Sequence, residues 1–213
     1  MRWIKKIAGI RGMARLEISL GLGLVLAVLL ASQSSFSQVC RQVRQDTLRL
    51  HIRAASDSAA DQADKLAVRD AVVQAAAVLF DGQTSREEAV AIASQNLDLL
   101  QQVANDTLQS RGSGSSATVT LTDMLFDTTW YQDFTMPAGR YQALRIDIGQ
   151  ATGKNWWCVL FPPLCLPAAE TLETTEVYSD EEKQVLQSGY ELRFAAVEWW
   201  QRLWDSEAPY DGC

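Results

Sequence analysis

The sequence predicts an α+β fold: a single small domain in which an antiparallel sheet of about four strands is backed by helices. Three observations carry this. The run Leu48-Arg49-Leu50-His51-Ile52-Arg53-Ala54 alternates with period two, which marks a half-buried strand. Two capped, apolar-striped segments then follow with no strand between them. After these come two further strand-like runs, separated by the turn Pro137-Ala138-Gly139. Helices clustered between strands that can pair as hairpins fit α+β better than an alternating βαβ pattern.

The N-terminus stands apart from this domain. Arg2, Lys5, Lys6, Arg11 and Arg15 precede an apolar run from Ile18 to Ala31, and no charge recurs until Arg41. A cationic start, an apolar core and a small-residue tail read as a signal peptide over residues 1–37. As a helix, the apolar run spans about 21 Å, short of a hydrocarbon core of about 30 Å. Ser34 and Ser37 offer cleavage points, but neither sits in a strong Ala-x-Ala site, so an uncleaved anchor over 18–37 is the alternative. Ser37-Gln38-Val39-Cys40 lacks the small residue a lipoprotein needs before its cysteine.

The domain itself is expected over 46–204, with a tail over 205–213. In the first strand Leu48, Leu50, Ile52 and Ala54 share one face, and Arg49, His51 and Arg53 the other. Ser56-Asp57-Ser58 supplies N-cap oxygens for a helix from Ala59 to about Phe80, ended by Asp81-Gly82. Ser85-Arg86-Glu87-Glu88 is a capping box for a second helix through Leu108. Arg111 to Ser116 is a flexible connector. Strands follow from Thr118 to about Phe126 and from Arg140 to Ile148. The Trp–Cys segment reads as a loop, residues 169–182 as an acidic linker, Tyr190–Phe194 as a fourth strand, and the stripe Val197, Trp200, Trp204 as a last helix. The order is β-α-α-β-β-β-α.

Charge and composition exclude some functions. An apolar fraction of 47% suits a folded domain and argues against global disorder. Beyond residue 40 the chain holds 14 basic and 25 acidic residues, a net of -11. Such a body is repelled by phosphate backbones, so nucleic acid is not expected as a partner. One histidine and widely spaced thiols make no compact metal-ligand set, and no glycine loop is built to cradle phosphate; the sequence calls for no cofactor.

The segment Gly153 to Cys165 holds the densest chemistry, with Trp156-Trp157 beside Cys158, then Phe161-Pro162-Pro163 and Cys165. In an exported chain cysteines can be oxidised, and the four present allow three pairings. A Cys158–Cys165 bridge would close a proline-stiffened loop, worth roughly 2.5 kcal/mol on chain-entropy grounds; Cys40 with Cys213 is a further possibility. The competing reading keeps Cys158 free as a nucleophile with His51 as its base, the minimum for a thiol-dependent hydrolase or transferase. His51, Ser56 and Asp57 do not suit a triad, because an extended step of that length spans about 17 Å. If neighbouring tryptophans alternate, one of Trp156 and Trp157 enters the core and the other faces out as an anchor for a partner.

Three blocks carry a resemblance. The first is Leu50-His51-Ile52-Arg53-Ala54-Ala55-Ser56-Asp57-Ser58 with Asp61-Gln62, Lys65-Leu66 and Val68-Arg69-Asp70-Ala71-Val72. The second runs from Tyr131 to Gly149, and the third is Gly153 to Cys165. Over 48–165 the chain resembles the stage II sporulation protein R family, and Tyr190 to Trp200 resembles that family's tail. Ala55 stands where the family usually has asparagine, and Asp127 where it usually has proline. The resemblance implies secretion from the forespore into the intermembrane space. It also implies activation, without catalysis of its own, of a membrane-embedded aspartic protease that processes the pro-sigma-E factor. On that reading the expected contact surface is His51, Arg49, Arg53, Asn155, Trp156, Trp157, Phe161, Pro162 and Pro163.

Overall fold

The computed structural model describes residues 19–24, 27, 36–83, 85–131, 134–164 and 175–187. The chain divides into two units, Met1–Val39 and Cys40–Cys213. In the first, residues 19–24 are helical and exposed. Among the described residues no helix is long and apolar enough to cross a membrane. The predicted strand at Tyr190–Phe194, the last helix and the tail lie outside the described residues.

The second unit is α+β, as the sequence predicts. Its elements are β1 (Leu48–Arg53), α1 (Ala59–Leu79), α2 (Arg86–Gln95), α3 (Leu97–Ser110), β2 (Ala117–Phe126), β3 (Thr129–Trp130), β4 (Thr135–Met136), β5 (Gly139–Ile148), β6 (Asn155–Phe161) and α4 (Asp180–Gln187). Ser58 caps α1 by accepting from the Asp61 amide, and Ser85 caps α2 by accepting from Glu88. The expected single helix through Leu108 is two. Asn96 leaves helical geometry at φ -118° and ψ 20°, and its side-chain amide donates to the Ile92 carbonyl. A local side-chain bond of this kind competes with the helix ladder and breaks it.

Four strands form the main sheet in the order β2-β5-β1-β6, and β3 pairs with β4 in a separate ribbon. The sheet is mixed rather than wholly antiparallel: β1 runs parallel to β5, while β2–β5 and β1–β6 are antiparallel. The reason lies in the connections. The three helices return the chain to β2, whose antiparallel partner β5 then lies alongside β1 in the same direction. The connection 149–154 next steps over the end of β1, with the Gly153 amide donating to the Ala54 carbonyl and the Thr152 hydroxyl to that of Ala55. β6 thereby reaches the far side of β1, so Asn155–Phe161 is a strand and not the expected loop. Another expectation changes within the acidic stretch, where α4 begins. Ser179-Asp180-Glu181-Glu182 is a capping box, in which the Ser179 amide donates to Glu182 and the Glu182 amide to the Ser179 hydroxyl.

Period-two alternation divides the sheet into two faces. Leu48, Leu50 and Ile52 join Leu144, Ile146, Val119, Cys158 and Leu160 against Val68, Val72 and Ala76 of α1 and Leu100, Ala104 and Leu108 of α3. Each such large side chain contributes about 1.5–3 kcal/mol by leaving water. The opposite face is apolar at one end only, where Phe126, Met136, Tyr141, Val159, Tyr178 and Leu186 form a second cluster.

Candidate functional site

Strand register builds the other end of that second face into two polar rows. Pairing places Thr118, Asp147, Arg53 and Asn155 side by side across four strands, and Thr120, Arg145, His51 and Trp157 in the next row. Thr118 and Thr120 are exposed, and Arg53, Arg145, Asp147, Asn155 and Trp157 are half-buried. Asp147 ties the strip together, accepting from Arg53 Nε at 2.8 Å and from Arg145 Nε at 3.0 Å. Burial alone would raise its carboxyl, but these two hydrogen bonds and charges overcome that and hold it below the ordinary aspartate value.

His51 sits at the floor of the strip, 4% exposed. Its ring stacks on Trp157 at 3.9 Å between centroids and 7° between planes. Asn155 Oδ1 accepts from its Nε2 at 3.0 Å. Burial is the main cause that lowers its pKa to about 4; the Asn155 bond opposes this, and Arg145 and Arg53 reinforce it. The ring is therefore neutral at ordinary pH. Trp157 also meets the edge of Phe126 at 4.9 Å, which fixes the stacking partner from behind.

Below the strip lies Arg49, with no exposed surface. Its Nε donates to the Cys158 carbonyl at 3.1 Å, and its Nη2 to Thr129 at 3.3 Å and to the Tyr131 hydroxyl at 3.0 Å. The guanidinium lies 4.3 Å from the Phe126 ring and 5.1 Å from that of Tyr141. Aromatic faces and neutral acceptors thus surround this cation, and no carboxylate pairs with it among the described residues. Arg49 is interior structure, not an exposed contact. Phe161 and Pro162, expected as contact residues, are likewise interior: both are buried, Phe161 against Phe80 in the helix-side core. Pro163 is half-buried.

The alternation expected of the two tryptophans is present. Trp157 lies on the strip, while Trp156 packs against the helix-side core with Arg69 4.5 Å from its ring. The same alternation separates Cys158 from His51. Cys158 pairs with Leu50 and enters the helix-side core, whereas His51 pairs with Trp157 on the other face. Cys158 is moreover disulfide-bonded. The nucleophile–base pair of the thiol-enzyme reading is therefore not assembled. Cys40 is a free, buried thiol, so the possible Cys40–Cys213 bridge is not formed; burial pushes its pKa up to about 11 against the opposing charge of Arg44. Cys165 and Cys213 lie outside the described residues.

Sequence blocks far apart meet at one corner of this strip. The Lys154 amide donates to Asp57 Oδ1 at 2.7 Å, and Lys65 Nζ donates to the Lys154 carbonyl at 3.0 Å. A Cβ on Gly153 would stand 2.2 Å from the Ser56 carbonyl oxygen, so only glycine fits there. Arg145 and Asp147 were missing from the sequence-derived set. Their signal is the alternation in Leu144-Arg145-Ile146-Asp147-Ile148, but only the parallel pairing with β1 brings them to His51 and Arg53.

Fold and strip together define a small α+β domain that presents a preformed polar surface on one end of a sheet face. The sequence profile of stage II sporulation protein R matches residues 44–171. The stage II sporulation protein R of Bacillus subtilis (strain 168) is 33% identical over 181 residues, which cover 74% of this chain and 81% of that protein. The chain belongs to the stage II sporulation protein R family. No solved structure matches it.

Proposed function

We propose that the chain is an exported signalling protein of sporulation that activates a membrane-embedded aspartic protease, which in turn processes the pro-sigma-E factor. It leaves the forespore through its N-terminal segment, acts in the intermembrane space, and is either released or held by an anchor over residues 18–37. The observation that carries this reading is the family match over residues 44–171, which encloses every residue of the polar strip. The strip suits recognition: its charges are oriented by Asp147, its histidine is neutral, and its aromatic is braced from behind. Binding there biases the protease toward its active state by differential affinity for that state. On this reading the disulfide of Cys158 is made with Cys165.

The test is binding of the full chain to the purified protease in nanodiscs. Arg145→Glu places a negative charge beside Asp147 and leaves the core untouched; it is expected to weaken binding at least tenfold. Unchanged affinity in both Arg145→Glu and Asn155→Ala removes the strip as the contact surface. A chain that does not bind at all removes the protease as its partner.

A further inference from the structure

The outer edge of the sheet carries a second kind of chemistry. In β2, the Gly149 amide donates to the Ser116 carbonyl and the register with β5 is unbroken from Ala117 to Phe126. Even-numbered residues therefore bond inward to β5, and the amides and carbonyls of the odd-numbered ones point away from the sheet. At the start of the strand α3 satisfies them. Ala117 exchanges two hydrogen bonds with the Asn105 side chain, at 2.7 and 3.3 Å, and the Val119 amide donates to Gln101 at 3.0 Å. Beyond Val119 no described residue continues this protection. Leu121, Asp123 and Leu125 turn their backbone groups outward with no partner among the described residues. Asp123 is exposed, and Leu121, Met124 and Leu125 are half-exposed.

We propose that the edge Leu121–Leu125 docks an extended polypeptide segment of the protease's extracytoplasmic side, as a fifth strand of the sheet. Three outward amide–carbonyl pairs at two-residue spacing recognise another peptide backbone in extended form. Side chains decide whose. Self-pairing that uses all three positions has its two-fold axis at Asp123 and sets that carboxylate opposite its own copy, which is unfavourable. A second copy of this acidic chain is therefore the wrong occupant, and a strand with Lys or Arg opposite Asp123 is the right one. Such a strand would lie beside Thr120 and Thr122, continuous with the polar strip. This proposal rests on the protease being the partner.

Proline at position 123 is the sharp probe. The Asp123 amide faces outward, so Asp123→Pro removes no bond to β5 but deletes the central donor and blocks approach to the edge. The experiment measures affinity of the full chain for the purified protease in nanodiscs, together with amide exchange at Leu121, Asp123 and Leu125. The expected result is rapid exchange at all three in the free chain and slowing on addition of the protease. Asp123→Pro should bind at least tenfold more weakly with its circular dichroism unchanged, and Asp123→Lys should also bind more weakly. Binding by the unaltered chain without protection of these amides overturns edge docking and leaves the protease as partner. Absence of binding by the unaltered chain overturns both. A dimer of the chain alone that Asp123→Pro dissociates would make a second copy the occupant and overturn the proposal as well.

Discussion

His51 is a base that its surroundings keep neutral, and this gives it a signed pH dependence. Its pKa is about 4 in the folded chain against an ordinary 6.5. Between those values the unfolded chain binds the proton and the folded chain does not. The contribution of the neutral ring is therefore complete above about pH 6.5 and is lost as pH falls toward 4, on the order of 3 kcal/mol in all. Urea denaturation of the wild type and of His51→Gln over that range measures it: the slope of stability against pH is expected to flatten in the variant. Equal slopes would mean that His51 is not the buried neutral group. Arg49 makes a second prediction at this scale. Arg49→Met keeps the volume but leaves the Cys158 carbonyl and the Tyr131 hydroxyl without their donor. Stability is expected to fall by about 1–3 kcal/mol, read as a lower urea midpoint. Period-two reasoning placed both residues correctly on the polar face of β1. It could not tell that one end of that face is roofed by Tyr131, Met136 and Tyr178 while the other stays open, because those residues arrive from distant parts of the chain.

Among elements, the connection 149–154 decides the architecture. It carries β6 across β1, and it does so by pressing Gly153 onto the Ser56 carbonyl. Gly153→Ala has no room for its methyl group there and is expected to cost at least ~2 kcal/mol, seen as a lowered thermal midpoint. A midpoint equal to wild type would contradict the close approach. Helix caps at Ser58 and Ser85 and the strands β1, β2 and β5 were legible because each is fixed by local chemistry: a hydroxyl before an amide, or a strict alternation. Three features were not. Asn96 breaks a helix through its own side chain; Asn155–Phe161 is a bulky sequence followed by two prolines, which resembles a loop until β1 is beside it; and the parallel β1–β5 pairing is a property of topology, invisible to any window of sequence. The site inherits the same limit. His51, Arg53, Asn155 and Trp157 were identifiable one by one, whereas Arg145 and Asp147 join them only through that pairing.

At the scale of the whole molecule, an acidic body carries a local strip with two arginines to one aspartate, held on a sheet whose other face is a continuous apolar core. The core fixes the strip, so its side chains are held in place without any partner. The cysteine that suggested covalent chemistry faces that core and is bonded, so it is not available as a nucleophile beside His51. The most direct measurement reconstitutes the protease with its pro-sigma-E substrate in vesicles and adds the purified chain on the extracytoplasmic side. Cleavage is expected to rise with the amount of chain added, to be unchanged by Cys40→Ser, and to fall with Arg145→Glu. Cleavage that is the same with and without the chain would show that the chain does not activate the protease.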